Sequence, residues 1–158
     1  MCIRDSSIYD PSELDTLCSR YQFDIVQAPF NVLDRRLIDS GWLECLHGLG
    51  TELHVRSVFL QGLLLMRSDE RPKKFNRWSA LWSLWEDWLK QKALTPVQAC
   101  IRHVFSFLEI SKVILGVNSV RQLKEILNDA DGPMMDLPAG LMTGDIDLLN
   151  PARWHALN

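Results

Sequence analysis

Gln27, Ser57 and Asn118 stand at the carboxyl ends of three short apolar runs. In parallel α/β sheets and barrels, that is where ligands are held. Gln27 follows Ile25-Val26, where a buried strand would still be apolar. A buried amide group needs hydrogen-bond partners, either a ligand or neighbouring backbone. Gly116-Val117-Asn118-Ser119 leads from the third run into a helix, whose first-turn N–H groups lack internal acceptors and can hold a phosphate. Arg121 lies in that first turn, where the helix dipole alone would favour an acid. The combination suits an anion; the plain alternative is an ordinary N-cap with a solvated Arg. There is no P-loop, no Gly-x-Gly-x-x-Gly and no Gly-x-Ser-x-Gly, and no catalytic triad or carboxylate pair stands out by spacing. Cys45 and His47 are two residues apart and face different directions on a helix, so no metal site is expected from them and His54.

These groups need strands and helices to place them. Phe23–Ala28, Leu53–Phe59 and Lys112–Val117 are short, rich in β-branched residues and bounded by Gly, Pro or Asn, as buried strands are. Runs that are apolar on both faces suit a parallel sheet covered on both sides. Helix starts are marked by Asp10-Pro11-Ser12-Glu13, Thr95-Pro96-Val97-Gln98 and Ser119-Val120-Arg121-Gln122. Leu43, Leu46 and Leu49 form a helical stripe after Ser40. Strand followed by helix, repeatedly, implies βα units. From Gln27 to Ser57 is 30 residues, and from Ser57 to Gly116 is 59. The excess is residues 67–94, read as an insertion after the second strand. It opens with the polar run 67–74. A helix follows with Trp78, Trp82, Trp85 and Leu89 on one face and Leu81 and Trp88 beside them. That face either packs on the domain or forms a lid over a ligand site. Residues 129–158 lose the periodicity and read as an irregular tail with Trp154 as an anchor.

The chain has 158 residues, 47% hydrophobic and 23% charged, which suits a globular domain and not a disordered chain. A net charge of -3 argues against nucleic acid as the main partner. No apolar run approaches the roughly 20 residues of a membrane span. Cys18, Cys45 and Cys100 have no Cys-x-x-Cys spacing, as expected of free thiols in the cytoplasm.

Taken together, these residues resemble the aldo/keto reductase family. Ser7-Ile8-Tyr9-Asp10-Pro11 is similar to the segment after the family's fifth barrel strand. FDIVQAPFN, residues 23–31, resembles the sixth strand and its loop. HVRSVFLQGLLL, residues 54–65, resembles the seventh strand and its turn. VILGVNSVRQLKEIL, residues 113–127, resembles the eighth strand and its helix. Residues 150–154 resemble the family's tail. The resemblance implies an α/β fold, the C-terminal half of a (β/α)₈ TIM barrel, with a Trp-rich helical insertion. It implies reduction of small carbonyl compounds by hydride from NADPH, with a Tyr donating the proton. Ser7 and Gln27 would bind the nicotinamide carboxamide. Ser57, Gln61 and Gly62 would lie along the pyrophosphate. Residues 116–122, including Gly116, Asn118, Arg121 and Gln122, would surround the adenosine 2′-phosphate, and Glu125 would approach the adenine.

Two positions depart from the family's pattern. Arg56 stands where an aromatic ring usually meets the nicotinamide, and Ile126 where an Asn often meets the adenine. The catalytic Asp, Tyr, Lys and His of the family lie on the other half of its barrel, so no catalytic residue is assigned here and the chain alone is expected to be inactive. Met1–Ser6 read like the translated end of a sequencing adapter, which places the expected start of the domain at Ser7. The competing reading is a non-catalytic nucleotide-binding or regulatory half-barrel that acts as a dimer. The sequence leaves the oligomeric state open.

Overall fold

The computed structural model describes residues 4–133 and 136–157. Four strands form one parallel sheet in sequence order: β1 (Asp5–Ser7), β2 (Ile25–Pro29), β3 (Glu52–Arg56) and β4 (Ile110–Val113). Helices alternate with them: α1 (Ser12–Leu17), α2 (Arg36–Asp39), α3 (Trp42–Gly48), α4 (Ser79–Lys92), α5 (Pro96–Phe105), α6 (Val120–Asp129) and α7 (Ile146–Leu149). This is the expected repetition of βα units.

Met1, Cys2 and Ile3 of the adapter-like segment lie outside the described residues. Arg4, Asp5 and Ser6 do not stand apart from the sheet. The Asp24 amide donates to the Arg4 carbonyl at 2.9 Å, and Asp5 and Ser6 pair with Ile25 and Val26. Extended backbone pairs through its own N–H and C=O groups, whatever side chains it carries.

The three predicted strands are present in the expected order but shift at their ends, and β1 is a fourth strand beyond them. β4 begins two residues before Lys112 and stops at Val113. Ser111 is extra in its register with β3, and its hydroxyl accepts the Leu53 amide at 3.2 Å. Such a bulge shortens the regular ladder.

The expectation of a sheet covered on both faces is corrected. Val26, Ala28, Leu53 and Val55 are fully buried beneath the helices. Their neighbours Ile25, Gln27, His54 and Arg56 point to the opposite face and are only half-buried. Gln27 is therefore not the fully buried amide its sequence context suggested. The Leu43–Leu49 stripe is also incomplete: Leu43 and Leu46 are buried, whereas Leu49 caps the end of α3 and is exposed.

Helix starts follow the predicted chemistry. Thr95 Oγ1 accepts the Gln98 amide and Gln98 Oε1 accepts the Thr95 amide, both at 3.1 Å. The first box is shifted. α1 begins at Ser12, and Asp10 and Glu13 cap the preceding turn: Asp10 Oδ1 accepts the Ser12 amide and Glu13 Oε1 accepts the Asp10 amide.

In α4, Trp82, Trp85, Trp88 and Leu89 are buried, with Trp78 just before it. Every one of these indole N–H groups is satisfied by the chain itself: Trp78 by Asp145, Trp82 by Phe75, Trp85 by Leu64 and Trp88 by Asp136. The aromatic face packs on its own domain and is not an uncovered lid. The described residues of the 129–158 segment hold the helix α7 and two short 3₁₀ helices, Ala139–Leu141 and Pro151–Ala156. Leu141, Leu148 and Leu149 are buried, and Trp154 meets the Phe75 ring edge-on at 4.9 Å.

His103 on α5 is buried, stacked on Phe30 at 5.5 Å with Phe107 edge-on. Burial, and then the Arg35 charge, lower its pKa from 6.5 to about 4. The unfolded chain takes up this proton near pH 6.5, while the fold resists it until about pH 4. The stabilisation is therefore complete above pH 6.5 and is lost as the pH falls to 4, by up to about 3 kcal/mol. Urea midpoints at pH 7.5, 6 and 5 should fall in that order. Replacement of His103 by Phe should flatten the series; an unchanged slope would remove His103 as its source.

Candidate functional site

The site lies beyond the carboxyl ends of β3 and β4. β3 stops at Arg56 because Ser57 turns to φ 61°. Leu60 and Gln61 are also left-handed, at 47° and 54°, and Gly62 follows at 85°. Three non-glycine residues in that region are costly, at about 1–3 kcal/mol each, and persist only when their surroundings fix them. Here they are fixed from behind. Val58, Leu60, Leu63 and Leu64 are buried in the core. The amides of Leu60, Gly62 and Leu63 donate to Ser57, Phe59 and Leu60 carbonyls at 2.9–3.0 Å. Asn31, itself buried, donates from Nδ2 to the Ser57 carbonyl at 3.3 Å, while its Oδ1 accepts the amides of Leu33 and Asp34.

The opposite wall comes from the chain after β4. The Ile114 amide donates to the Val55 carbonyl at 2.8 Å and carries the pairing one residue past the strand. Ser119 caps α6 by accepting the Gln122 amide, and Gln122 Oε1 accepts the Asn118 amide at 2.8 Å. The predicted box thus closes onto Asn118 and not onto the N-cap itself. Among the described residues, nothing accepts from the Val120 and Arg121 amides of the first turn.

Between the two walls is a cleft of about 360 Å³. Six of the predicted residues line it together: Ser57, Gln61, Gly62, Gly116, Asn118 and Gln122. Phe59 and Leu65 also line it, as does Ile114. A Cβ added at Gly62 or Gly116 would meet nothing within 4 Å, so both backbones border open space. The free N–H groups of Val120 and Arg121 stand at the start of α6, outside the lining of this cleft, and a helix start of that kind suits phosphate oxygens.

The other five predicted residues lie outside this cleft. Arg121 is 88% exposed and pairs with Glu125 at 3.1 Å on the surface of α6. Ser7 and Gln27 are register partners on β1 and β2, on the same face of the sheet. Arg56 reaches away from the cleft centre. Its Nη2 donates to the Ile8 carbonyl at 2.9 Å, and its guanidinium lies 4.7 Å from the Tyr9 ring centroid. It bridges the ends of β1 and β3.

Loops at this end of the sheet are tied by a partly buried ion network. Arg36 binds both oxygens of buried Asp34 at 2.8 Å and Asp10 at 2.8 Å. The Ser12 hydroxyl, and after it Arg36, hold the Asp10 carboxyl below its ordinary range. The tyrosines Tyr9 and Tyr21 are more than half exposed. His54 is bound to Glu52 at 2.9 Å, and His155 to the Ala152 carbonyl at 2.7 Å.

Asn31 and the left-handed run were not foreseen from sequence. Asn31 follows Phe30 at a strand end, which is a usable signal. Nothing in the types Ser57, Leu60 and Gln61 announces a positive φ.

Residues 6–135 match the sequence profile of the aldo/keto reductase family. The fold is similar to the apo form of aldo-keto reductase AKR11C1 from Bacillus halodurans, with TM-score 0.62 and 18% identity over 82% of this chain and 45% of that one. Against its holo form the TM-score is 0.59 and the identity 17%, over 82% and 44% of the two chains. The glycerol dehydrogenase AKR11B4 from Gluconobacter oxydans gives 0.60 at 18% identity, over 82% and 44%. At such identities the likeness is one of fold, and the chain spans less than half the length of these structures. No curated protein matches the chain.

Proposed function

The chain belongs to the aldo/keto reductase family, and from that premise we propose that it carries the NADP-binding part of a cytoplasmic oxidoreductase that reduces small carbonyl compounds. The observation that supports this reading is the convergence of Ser57, Gln61, Gly62, Gly116, Asn118 and Gln122 on one cleft. When bound, NADPH supplies the hydride.

The chain's own residues bind and orient. The Ser57–Gly62 turn presents its backbone to the pyrophosphate. The free amides of Val120 and Arg121 and the Arg121 guanidinium would hold the 2′-phosphate, with Glu125 positioning Arg121 at 3.1 Å. Ser7 and Gln27, side by side across β1 and β2, offer a hydroxyl and an amide to the carboxamide. Arg56, held by the Ile8 carbonyl and Tyr9, fixes the spacing between these two groups of contacts. Cytoplasmic placement is supported by the free thiols of Cys18, Cys45 and Cys100 among the described residues, with Cys45 exposed. No helix of the described residues is long and apolar enough to cross a membrane.

No residue of this chain is assigned as proton donor. Purified protein with NADPH and a panel of aldehydes is expected to show binding without turnover; steady NADPH oxidation would overturn that part. In a fluorescence titration, NADPH should bind more tightly than NADH. Arg121→Ala should weaken NADPH roughly tenfold and leave NADH unchanged, as loss of one charge-assisted contact to a phosphate does. Equal loss for both would defeat the 2′-phosphate assignment.

A further inference from the structure

A second cleft, of about 470 Å³, is lined by Lys74, Arg77, Asp147, Arg153 and His155, with Leu157 as an apolar patch. None of its lining residues borders the cleft at the ends of β3 and β4. Two segments far apart in sequence build it. Lys74 and Arg77 belong to the 3₁₀ helix Lys73–Trp78 that precedes α4. Asp147 belongs to α7, and Arg153 and His155 to the 3₁₀ helix Pro151–Ala156. Both walls are fastened to the middle of the domain. Trp78 donates to Asp145 at 2.9 Å, and Trp154 packs on Phe75. The Thr143 amide donates to the Leu33 carbonyl at 3.0 Å, in the loop after β2. β2 and β3 are the inner strands, so these fastenings involve neither outer strand.

The lining holds three cations against one carboxylate. Arg77 donates from Nη2 to Asp145 at 3.2 Å and to Asp147 at 3.1 Å, and Arg153 donates from Nε to Asp147 at 2.6 Å. With Asp145 counted, the two arginines and two aspartates cancel, and Lys74 is the surplus charge. Lys74 donates only to a neutral acceptor, the Trp154 carbonyl, at 2.8 Å. The aspartates also leave donors unspent. A guanidinium has five N–H groups in a fixed fork. Among the described residues, nothing accepts from Nη1 and Nη2 of Arg153 or from Nε and Nη1 of Arg77. The Arg77 guanidinium lies 4.2 Å from the Trp78 ring centroid, which limits its movement. His155 donates from Nδ1 to the Ala152 carbonyl at 2.7 Å and adds no acid to the lining.

We infer that this cleft binds a small organic oxyanion, a molecule carrying a phosphate or carboxylate group, and that the bound anion fastens the tail to the segment before α4. Two positioned guanidinium forks and an ammonium suit planar or tetrahedral oxyanions. A concave surface with an excess of positive charge concentrates anions. The volume falls within the about 300–1,000 Å³ of small-molecule pockets, which leaves room for a body beyond the charged group, against Leu157. Asp145 and Asp147 hold the forks in place and limit the site to ligands whose charge outweighs theirs. The site is independent of the nucleotide reading, since the two clefts share no residue.

Thermal unfolding at matched ionic strength tests it, with inorganic phosphate and succinate as probes and chloride as the reference. The midpoint should rise and saturate with phosphate or succinate and stay put in chloride, as binding to the folded chain alone requires. Arg153→Gln and Lys74→Gln should each raise the half-saturating concentration about tenfold. Both variants should keep the parent far-UV spectrum: Arg153 is 57% exposed, and Gln at position 74 keeps a donor for the Trp154 carbonyl. Arg121→Ala should leave the effect whole. No rise beyond that of chloride, or a rise indifferent to both substitutions, would overturn the inference. So would loss of the effect in Arg121→Ala, which would place the anion at the start of α6. A response to phosphate alone identifies a phosphate-bearing ligand, and one to succinate alone a carboxylate. Arg153→Gln should bind NADPH as the parent does, so failure of this site and failure of the cofactor reading are separate results.

Discussion

Trp85→Ala should cost the fold about 3–5 kcal/mol, the usual range for removing a buried large aromatic. A domain of this size has only about 5–15 kcal/mol in total. Trp85 is 1% exposed and stacks on Trp88 at 5.6 Å. Its indole donates to the Leu64 carbonyl at 3.2 Å. Leu64 belongs to the short 3₁₀ turn Leu63–Leu65 that follows Gly62, so the loss reaches the cleft wall. The variant should show a large drop in urea midpoint and a weaker grip on NADPH. Trp85→Phe refills most of the space but strands the Leu64 carbonyl, and should cost less, about 1–3 kcal/mol. If Trp85→Ala costs under about 1 kcal/mol, helix α4 does not support the domain as described.

Gly62→Val is the second large effect, and it falls on binding. At φ 85° the cost is in the backbone, since a Cβ there meets nothing within 4 Å. A β-branched residue is a genuine outlier in the left-handed region, at a cost of about 1–3 kcal/mol. The turn can relieve it only by rotating toward negative φ, which re-aims the amides between Ser57 and Leu63. NADPH affinity should fall at least tenfold, while the far-UV spectrum stays native. Gly62→Ala should fall between Val and the parent. Unchanged affinity in Gly62→Val would mean that this turn does not face the cofactor.

How much of this was legible depends on the range of the interaction. The βα order, the Thr95 capping box and the tryptophan stripe are local patterns and each formed, although Trp78, the first of the stripe, ends a 3₁₀ helix just before α4. Ser57 and Asn118 of the cleft were legible as strand-end polar groups, because an apolar run must end before a polar side chain can face solvent, whereas Gln61 and Gly62 came only from the family resemblance. Other features depend on partners far along the chain. Arg56 is held by Ile8, 48 residues away, and Asn31 by Ser57, 26 residues away. The positive φ values of Ser57, Leu60 and Gln61 follow from the burial of Val58, Leu60, Leu63 and Leu64, not from their own preferences. The open sheet face was misread because strands buried on one side and half-buried on the other can carry the same apolar run. β4 shows the limit of pattern alone: Ile114, Leu115 and Val117 are apolar, yet the ladder ends at Val113 and these residues serve the cleft wall and its approach.

The strand order has a consequence for how the chain acquires its shape. Each strand pairs with the one before it in sequence, so the sheet can zip from unit to unit with modest loop closures. The tail does not share that economy. Lys74 holds the Trp154 carbonyl across 80 residues, and Trp78 holds Asp145 across 67. Such closures gain nothing until the helix they grip is already in place. The sheet and the cleft at its end are therefore expected to form early in refolding, and the tail to dock last, as a clasp fastened over a finished body.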